Sequence, residues 1–469
     1  MPMNCRTGFL DVWKRCFQHV KVREYKNVCG KCVTCAELSS LRSAFRDSKR
    51  RNETTRLHAF HRSTYMGERA VYYEQKRLAM EMPAQYCSII TDGMAQSHTI
   101  LPWGKNLYMH SQTIEQHLQG VLQHGQSTNI YRTFPNIFGG ANLAIHVVLM
   151  DLLERYERDG CLPPTVFIRV DGGSENANKF LLAICELIVS RRLCQTIIIS
   201  RLPVGHTHED IDGVFSRIWT KMRDASVATP QKYMHYVKSI FKPRHGEAEG
   251  CKSSKFVDLF CLPDYKAFLE RYVDPKFGKV FREQWTQHCF RFRSVPPSTD
   301  FPLGVEMHYR AYAQDEVFEI VDSNRWECGK AARKCYVSWL PEGKGLYLLR
   351  SLPTGAPKGA SFVAGSCEKI KLAVNAIMRH FEKYEEHVAR YRGWLERMPK
   401  SDNVNDFIRD RGLNRRPPTG EMFQAPLMSA ITAMIKLIFY LQYAQQILCV
   451  GVEEMVNVQH PYRMLVSTG

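Results

Sequence analysis

The pattern of hydrophobic and polar positions changes near residue 86 of the 469-residue chain. Before that point, charged residues recur with helical spacing and are interrupted by the cysteine cluster VCGKCVTC. From Tyr86 onward, short apolar runs that end in Asp or Gly alternate with amphipathic stretches, which is typical of an α/β domain. We therefore predict a helical N-terminal region followed by an α/β domain.

The apolar runs of the α/β region follow a definite order. YCSIITDG predicts a first strand, and HTILPW, HLQGVLQHG and STNIYRTF supply the next three. A helix (NLAIHVVLMDLLERYE), a strand (TVFIRVDGG), a helix (NKFLLAICELIVSRR), a strand (TIIISRLP) and a helix from Glu209 to Asp224 complete the series. This order predicts an RNase H-like mixed sheet flanked by helices.

The pattern is weaker beyond residue 240. VFEIV, KCYVSWLP and GLYLLRSLP predict strands of a small β domain, Cys367 to Arg397 predicts a long charged helix, and Lys400 to Gly420 predicts a linker. The predicted organisation has four parts: a helical N-terminal region with zinc-binding character (1–82), an RNase H-like domain (83–240), a connecting segment with a small β domain (241–355) and a helical C-terminal region (356–469).

One apolar segment, Pro426 to Val450, is nearly long enough to span a bilayer. It contains Lys436 and three glutamines, which are costly in hydrocarbon, so a buried helix is favoured over a membrane span. The N-terminus carries scattered charges and no secretory signal. Reduced thiols are therefore expected for the sixteen cysteines.

Three acidic residues stand where the predicted elements converge. Asp92 ends the first strand and Asp171 ends a later strand that would lie beside it, while the last helix would bring Asp212 over both. Carboxylate oxygens are the ligands that hard divalent cations prefer, and two such ions can clamp the attacking and leaving oxygens of a phosphodiester. The arrangement predicts a two-metal Mg²⁺ or Mn²⁺ site, although an Asp-Gly-Gly after a strand is by itself most often a turn.

The helical face that contains Asp212 is largely apolar. Asp212 shares it with Phe215 and Trp219, at spacings of three and seven. A carboxylate on such a face needs partners, which metal ions would supply. Asp210 lies off this face, and we expect it to be solvated.

The residues just before this helix supply further candidates. Glu209 is a fallback metal ligand, three positions before Asp212. His206 and His208 could contact the scissile phosphate, orient a carboxylate or move a proton. Both histidines are equally consistent with a loop that caps the helix.

Cysteine and histidine pairs in the N-terminal region have metal-ligand spacing. Cys32 and Cys35 form a CxxC pair, and His58 and His61 follow in RLHAFHR. These four side chains could form a closed tetrahedral zinc site. The alternative is a pair of reduced surface cysteines with histidines on a basic helix.

The segments TDGMAQ, VDGGSEN and GHTHEDID together resemble the transposon-derived, RNase H-like domains of transposases and integrases found in many eukaryotic genomes. The resemblance covers roughly residues 29 to 225, and GHTHEDID is its most specific part. It implies that Asp92, Asp171 and Asp212 bind the metal and that His206 belongs to the site. The third acid is Asp here, whereas integrases and many cut-and-paste transposases have Glu, which reaches further by one methylene.

Charge agrees with a nucleic-acid partner, because 64 Lys and Arg against 47 Asp and Glu give a net charge of +17. We expect metal-dependent phosphodiester cleavage or strand transfer on DNA, a nuclear location, and no small-molecule cofactor or membrane partner. A second copy of the chain is a further candidate partner. The alternatives are a domesticated, inactive nucleic-acid-binding protein and a metallophosphoesterase, whose earlier metal-binding segments do not occur here in sequence order.

Overall fold

The computed structural model describes these residues: 32–104, 113–135, 137, 140–171, 178–201, 210–241, 253–274, 289–310, 312–313, 337–338, 347–355, 357 and 366–397. The chain divides into two compact units, one of Met1–Arg62 with Val204–Thr207 and one of Ser63–Pro203 with His208–Gly469.

The described residues form nine α-helices. They are α1 Val33–Ala44, α2 Ser48–Glu81, α3 Ala141–Asp159, α4 Lys179–Ser190, α5 Asp210–Met222, α6 Pro230–Ser239, α7 Tyr265–Glu270, α8 Ser366–His380 and α9 Glu385–Arg397. A 3₁₀ turn covers Gln96–His98.

The first unit contains α1 and the beginning of α2, which form an antiparallel helical hairpin. At the closed end, the guanidinium of Arg51 donates two hydrogen bonds, of 3.2 and 2.9 Å, to the carbonyl of Phe45. At the open end, Cys32 lies against His61, thirteen residues into α2. The helices predicted for this region are confirmed from Val33 to Glu81.

A nine-stranded mixed sheet forms the centre of the second unit, in the order β6-β3-β2-β1-β4-β5-β7-β8-β9. The strands are β1 Tyr86–Gly93, β2 His117–Gln123, β3 Ser127–Thr133, β4 Thr165–Val170, β5 Thr196–Arg201, β6 Ser253–Asp258, β7 Cys289–Ser294, β8 Val305–Arg310 and β9 Val337–Ser338. β1, β2 and β3 form an antiparallel meander, whereas β1, β4 and β5 are parallel.

Helices cover both faces of this sheet. Gly120 of β2 faces α5, because a side chain added there would meet Ile211 and Phe215. Val121 points the other way, and its partner Asn129 on β3 donates a 2.8 Å hydrogen bond to the carboxylate of Asp151 on α3. α3 therefore lies on the face opposite α5. The predicted α/β class, a mixed sheet flanked by helices, is confirmed.

Three predicted elements are wrong in detail. GLYLLRSLP is not a strand from Tyr347 onward, where Leu349 makes one isolated bridge, to Val273. HTILPW is not a strand: Leu101 and Trp103 each make one isolated bridge, and Pro102 between them has no N–H for a ladder. The long helix predicted to end at Arg397 is two helices. The chain turns between them at Phe381 and Tyr384, and the N–H of Tyr384 donates to the carbonyl of Phe381 at 2.7 Å.

The sheet continues past the domain boundary predicted at residue 240. Four of its strands, β6 to β9, lie beyond that residue. One of them, Val337–Ser338, falls within the predicted strand KCYVSWLP. The predicted strand VFEIV, the linker Lys400–Gly420 and the apolar segment 426–450 lie outside the described residues. No helix among the described residues is long and apolar enough to cross a membrane.

Candidate metal-binding sites

The parallel pairing of β1 with β4 sets the positions of the first two acids. Thr91 pairs with Val170, the last residue of β4. Asp92 directly follows Thr91 and Asp171 directly follows Val170, so the two acids lie side by side at the same edge of the sheet. The register of β1 and β4 thus places the two aspartates next to each other, as the sequence predicts.

The charges of two other aspartates act on Asp92 at this edge. Burial and the negative charges of Asp171 and Asp212 raise the pKa of Asp92 to about 7. The backbone N–H of Gly93 donates to Asp92 Oδ1 at 2.7 Å and opposes this rise. The structure therefore places Asp171 and Asp212 within electrostatic reach of Asp92, although the three acids come from distant parts of the chain.

Gly120 lets α5 approach the sheet closely enough to bring Asp212 to this site. It is the cross-strand partner of Asp92, so both residues face the same helix. A Cβ atom at Gly120 would stand 2.8 Å from Ile211 Cδ1 and 3.0 Å from Phe215 Cζ. Any side chain there would push α5, and with it Asp212, away from Asp92.

Replacing Gly120 with valine is therefore expected to lower the free energy of unfolding by about 1–3 kcal/mol, because overpacking forces the ring of Phe215 and the backbone to shift. The same substitution at Gly213, where an added Cβ atom meets nothing within 4 Å, is the control for helix and surface effects. Urea denaturation of both variants measures the difference. Equal stability of the two would mean that α5 does not depend on the glycine.

Asp210, expected to be solvated, instead anchors the first turn of α5. Its Oδ2 lies 2.6 Å from Lys76 Nζ and 3.4 Å from His124 Nε2, and it accepts a 3.2 Å hydrogen bond from the hydroxyl of Tyr72. The hydrogen bonds from His124 and Lys76 hold the pKa of Asp210 well below its ordinary value. Ser88 of β1 completes the network, 3.0 Å from His124 Nδ1. The helix that contains Asp212 is thus fixed to α2 and to the sheet.

The apolar face of α5 agrees with its predicted spacing. Ile211, Phe215 and Ile218 are buried, and Asp212 lies half-buried at the edge of this face. Trp219 stacks on the imidazole of His98, with ring centroids 3.9 Å apart.

Binding of a divalent cation at Asp92 would depend on pH, because the pKa of this carboxyl is raised. The pKa of about 7 lies above the value of 3.8 for an unperturbed Asp, so the metal-free protein favours the protonated carboxyl and loses stability as the pH rises toward and through 7. Metal must displace that proton. Affinity for Mn²⁺ is therefore expected to rise by up to about tenfold per pH unit below 7 and to level off above it.

Calorimetric titration between about pH 6 and about pH 8 measures this dependence. Asp92→Asn is the matched variant, because it has no proton to release; its Mn²⁺ affinity should be weaker and nearly constant over the same range. Constant affinity in the unaltered protein would contradict the assignment.

A second candidate site lies in the first unit. Ligand atoms of Cys32, Cys35 and His61 all lie within 4.8 Å of one another, with Cys32 Sγ 3.1 Å from His61 Nε2. The backbone N–H of Cys35 points to Cys32 Sγ at 3.5 Å. Among the described residues, no other group of three potential ligands is as compact. This cluster could hold a metal ion such as zinc.

The predicted ligand set of this cluster needs one correction. His58 is not part of the group, because it lies one turn before His61 on α2 and only one of the two reaches the cysteines. Its charge still acts on His61, whose pKa is lowered first by burial and then by His58. Burial and the neighbouring Cys32 raise the pKa of Cys35 to about 11 in the metal-free chain, so a bound cation would be needed to hold that sulfur as a thiolate.

Several predicted site residues lie outside the described residues. These are His206, His208 and Glu209, together with residues 172–177 after Asp171. Conversely, sequence reasoning missed Tyr72, Lys76, His98 and His124, which support α5. Lys76 stands 134 positions from its partner, and no local pattern links the two.

One comparison with known proteins gives a match. Residues 107–314 are similar to a family described as a domain of unknown function, DUF7869. The matched segment runs from before β2 to just beyond β8 and includes Asp171 and Asp212, whereas Asp92, α1 and α2 precede it. Neither the curated proteins nor the solved structures give a match to this chain.

Proposed function

We propose that this chain is a transposase-like or integrase-like enzyme with an RNase H-like domain, and that it cleaves or transfers DNA strands with divalent metal ions. The observation that carries the proposal is that the charges of Asp171 and Asp212 act on Asp92 at one edge of the sheet. These are the three acids that the resemblance to transposon-derived domains implies.

The order of strands supports the RNase H-like assignment. An antiparallel meander of three strands is followed by two parallel strands on the other side of β1, with helices between them. In this arrangement acids at the ends of neighbouring parallel strands share one edge, as Asp92 and Asp171 do. The helix that follows β5 then supplies Asp212, as the fold requires.

The three carboxylates suit Mg²⁺ or Mn²⁺ rather than a softer metal, because all the predicted donors are oxygen. Without a cation, the ionised form of the half-buried Asp92 is unfavourable beside two other acids, as its raised pKa indicates. Bound divalent ions would activate a water or a 3′ hydroxyl and stabilise the leaving oxygen.

The protein's own residues would hold and orient this chemistry. Asp92 would release its proton to solvent when metal binds, and Asp171 follows the end of β4 beside it. The ion pair between Asp210 and Lys76 holds the first turn of α5 in place, which would fix the position of Asp212 relative to the sheet. Support of this kind, from residues that do not touch the metal, typically affects affinity or activity by about tenfold to a hundredfold.

The second metal site would have a structural role in this enzyme, and zinc is the metal we propose for Cys32, Cys35 and His61. Two sulfurs and an imidazole are donors that zinc prefers, and a fourth ligand would complete a tetrahedron. The cluster lies at the open end of the α1–α2 hairpin. Zinc would close that end, as the turn at Phe45 closes the other.

The net charge of +17 supports a phosphate-rich substrate such as DNA, and a DNA substrate would place a eukaryotic enzyme in the nucleus. Assembly with a second copy of the chain belongs to the same proposal, because joining two DNA ends needs two sites held together.

Strand cleavage and joining on labelled DNA, with Mg²⁺ or Mn²⁺, tests the proposal. Supercoiled plasmid serves as a substrate that needs no known target sequence. The unaltered chain should nick or join DNA only with metal, and Asp171→Asn should do neither. Activity retained by the variant would contradict the proposed site; tight DNA binding without any cleavage would favour the inactive, transposase-derived binder. Hydrolysis of a small phosphate monoester instead of DNA would favour a phosphoesterase.

A further inference from the structure

The closed end of the α1–α2 hairpin is strongly positive. Four cations surround the turn within nine residues of sequence: Arg42, Arg46, Lys49 and Arg50. All four are exposed, and none forms an ion pair with a carboxylate in the part of the chain that the structure describes. We call these four residues the hairpin tip.

Three of these charges have no evident role in folding, whereas Arg42 lies in the last turn of α1, where a cation suits the negative end of the helix dipole. Asp47, the acid among them, accepts a 3.0 Å hydrogen bond from the backbone N–H of Arg50, and Arg51 is the cation that ties the turn to Phe45. α2 has no acidic residue in its first turn, where Lys49 and Arg50 instead face the positive end of the helix dipole. That placement costs stability, so the hairpin tip is better explained by an external anion than by the fold.

The hairpin tip is also separate from the metal cluster. α1 has twelve residues, which corresponds to a length of about 18 Å, and the cluster of Cys32, Cys35 and His61 lies at its other end. The metal would keep the two helices side by side, while the tip remains open to a partner.

From these observations we propose that the hairpin tip binds the phosphate backbone of a DNA duplex. Duplex DNA presents about one negative charge per 1.7 Å along its axis, which several closely spaced cations can neutralise together. Arginine, three of the four, binds phosphate oxygens through a planar fork. The choice of DNA rests on the proposed function, and within it the tip is an anchoring surface that contacts no reacting atom.

The salt dependence of DNA binding tests this proposal. A variant with Gln at all four tip positions is compared with a control that loses four exposed cations elsewhere, Lys369, Arg379, Lys383 and Arg392, also to Gln. Both have the same net charge. Fluorescence anisotropy with a short labelled duplex, from about 50 to about 200 mM salt, gives the slope of log affinity against log salt.

The tip variant should bind DNA more weakly, and the magnitude of its slope should be smaller by about 3 to 4. Each phosphate contact contributes about 0.9 to this slope. The control should stay close to the unaltered chain. Equal changes in both variants, no change in either, or no binding by the unaltered chain would overturn the proposal. So would tip-dependent binding to vesicles of anionic phospholipid without tip-dependent binding to DNA. Circular dichroism checks that each variant is folded.

Every chain in this experiment, including the reference chain with an unaltered tip, also carries Asp171→Asn, so that cleavage plays no part. A failure of the cleavage assay therefore leaves the binding result standing. Conversely, a tip that does not bind DNA leaves the strand-cleaving site to be tested by itself.

Discussion

Replacing Asp212 with asparagine should reduce metal-dependent strand cleavage by at least about a thousandfold, because the change removes a charged metal ligand and leaves the side-chain shape intact. Asp212 stands at the edge of the buried face of α5, and its charge already acts on Asp92. Removing a like charge should leave the metal-free fold unchanged or slightly more stable. Activity falls in this variant while stability does not.

Asp210→Asn is the matched control, with the same atoms exchanged two residues away on the same helix. It loses part of the network with Lys76, Tyr72 and His124, so we expect a smaller loss of activity, about tenfold to a hundredfold, and a raised metal requirement. Because the Asp210–Lys76 pair is partly exposed, the expected loss of stability is at most about 1 kcal/mol. If Asp210→Asn proved as inactive as Asp212→Asn, the division between ligand and positioning residue would fail.

Removing the metal from the cysteine cluster should have the second large effect, the loss of an ordered helical hairpin in the first unit. His61→Ala is expected to abolish binding of about one zinc ion per chain, because three ligands become two. Structural zinc contributes directly to folding free energy, so residues 33–62 should then exchange their amide hydrogens far faster. Zinc content and hydrogen exchange by mass spectrometry measure the two effects.

His58→Ala distinguishes a site of Cys32, Cys35 and His61 from the predicted site that also included His58. The two histidines are one turn apart on α2, and only His61 reaches the cysteines. The His58 variant should therefore retain its zinc and its slow exchange. Equal zinc loss in both variants would mean that His58 is a ligand, and zinc retention in both would remove the histidines from the site.

The sequence was most informative where the signal is local. Asp92 and Asp171 each follow an apolar run, and the carboxyl ends of neighbouring parallel strands lie at one edge of a sheet, so the placement of both acids at that edge could be expected from the order of elements alone. The helical face of Asp212 was equally readable, because Ile211, Phe215 and Ile218 recur with the period of a helix.

The features that sequence reasoning missed depend on long-range contacts. Asp210 was expected to be solvated because nothing near it in sequence suggests a partner, yet Lys76 and Tyr72 reach it from α2. The role of Gly120 depends on the approach of α5, 91 positions away at Ile211. Similarly, their spacing predicted that both His58 and His61 bind the metal. Only the packing of α1 against α2 shows that His61 is the histidine near the cysteines.

The proposed chemistry requires that Asp92, Asp171 and Asp212 bind divalent metal together. Mn²⁺ titration followed by electron paramagnetic resonance tests it most directly, since bound and free Mn²⁺ give different signals. We expect tight binding in the unaltered chain that Asp92→Asn, Asp171→Asn and Asp212→Asn each weaken strongly. Asp300→Asn, which loses an exposed carboxylate between β7 and β8, should not weaken it. Unchanged Mn²⁺ binding in all three site variants would contradict a shared metal site.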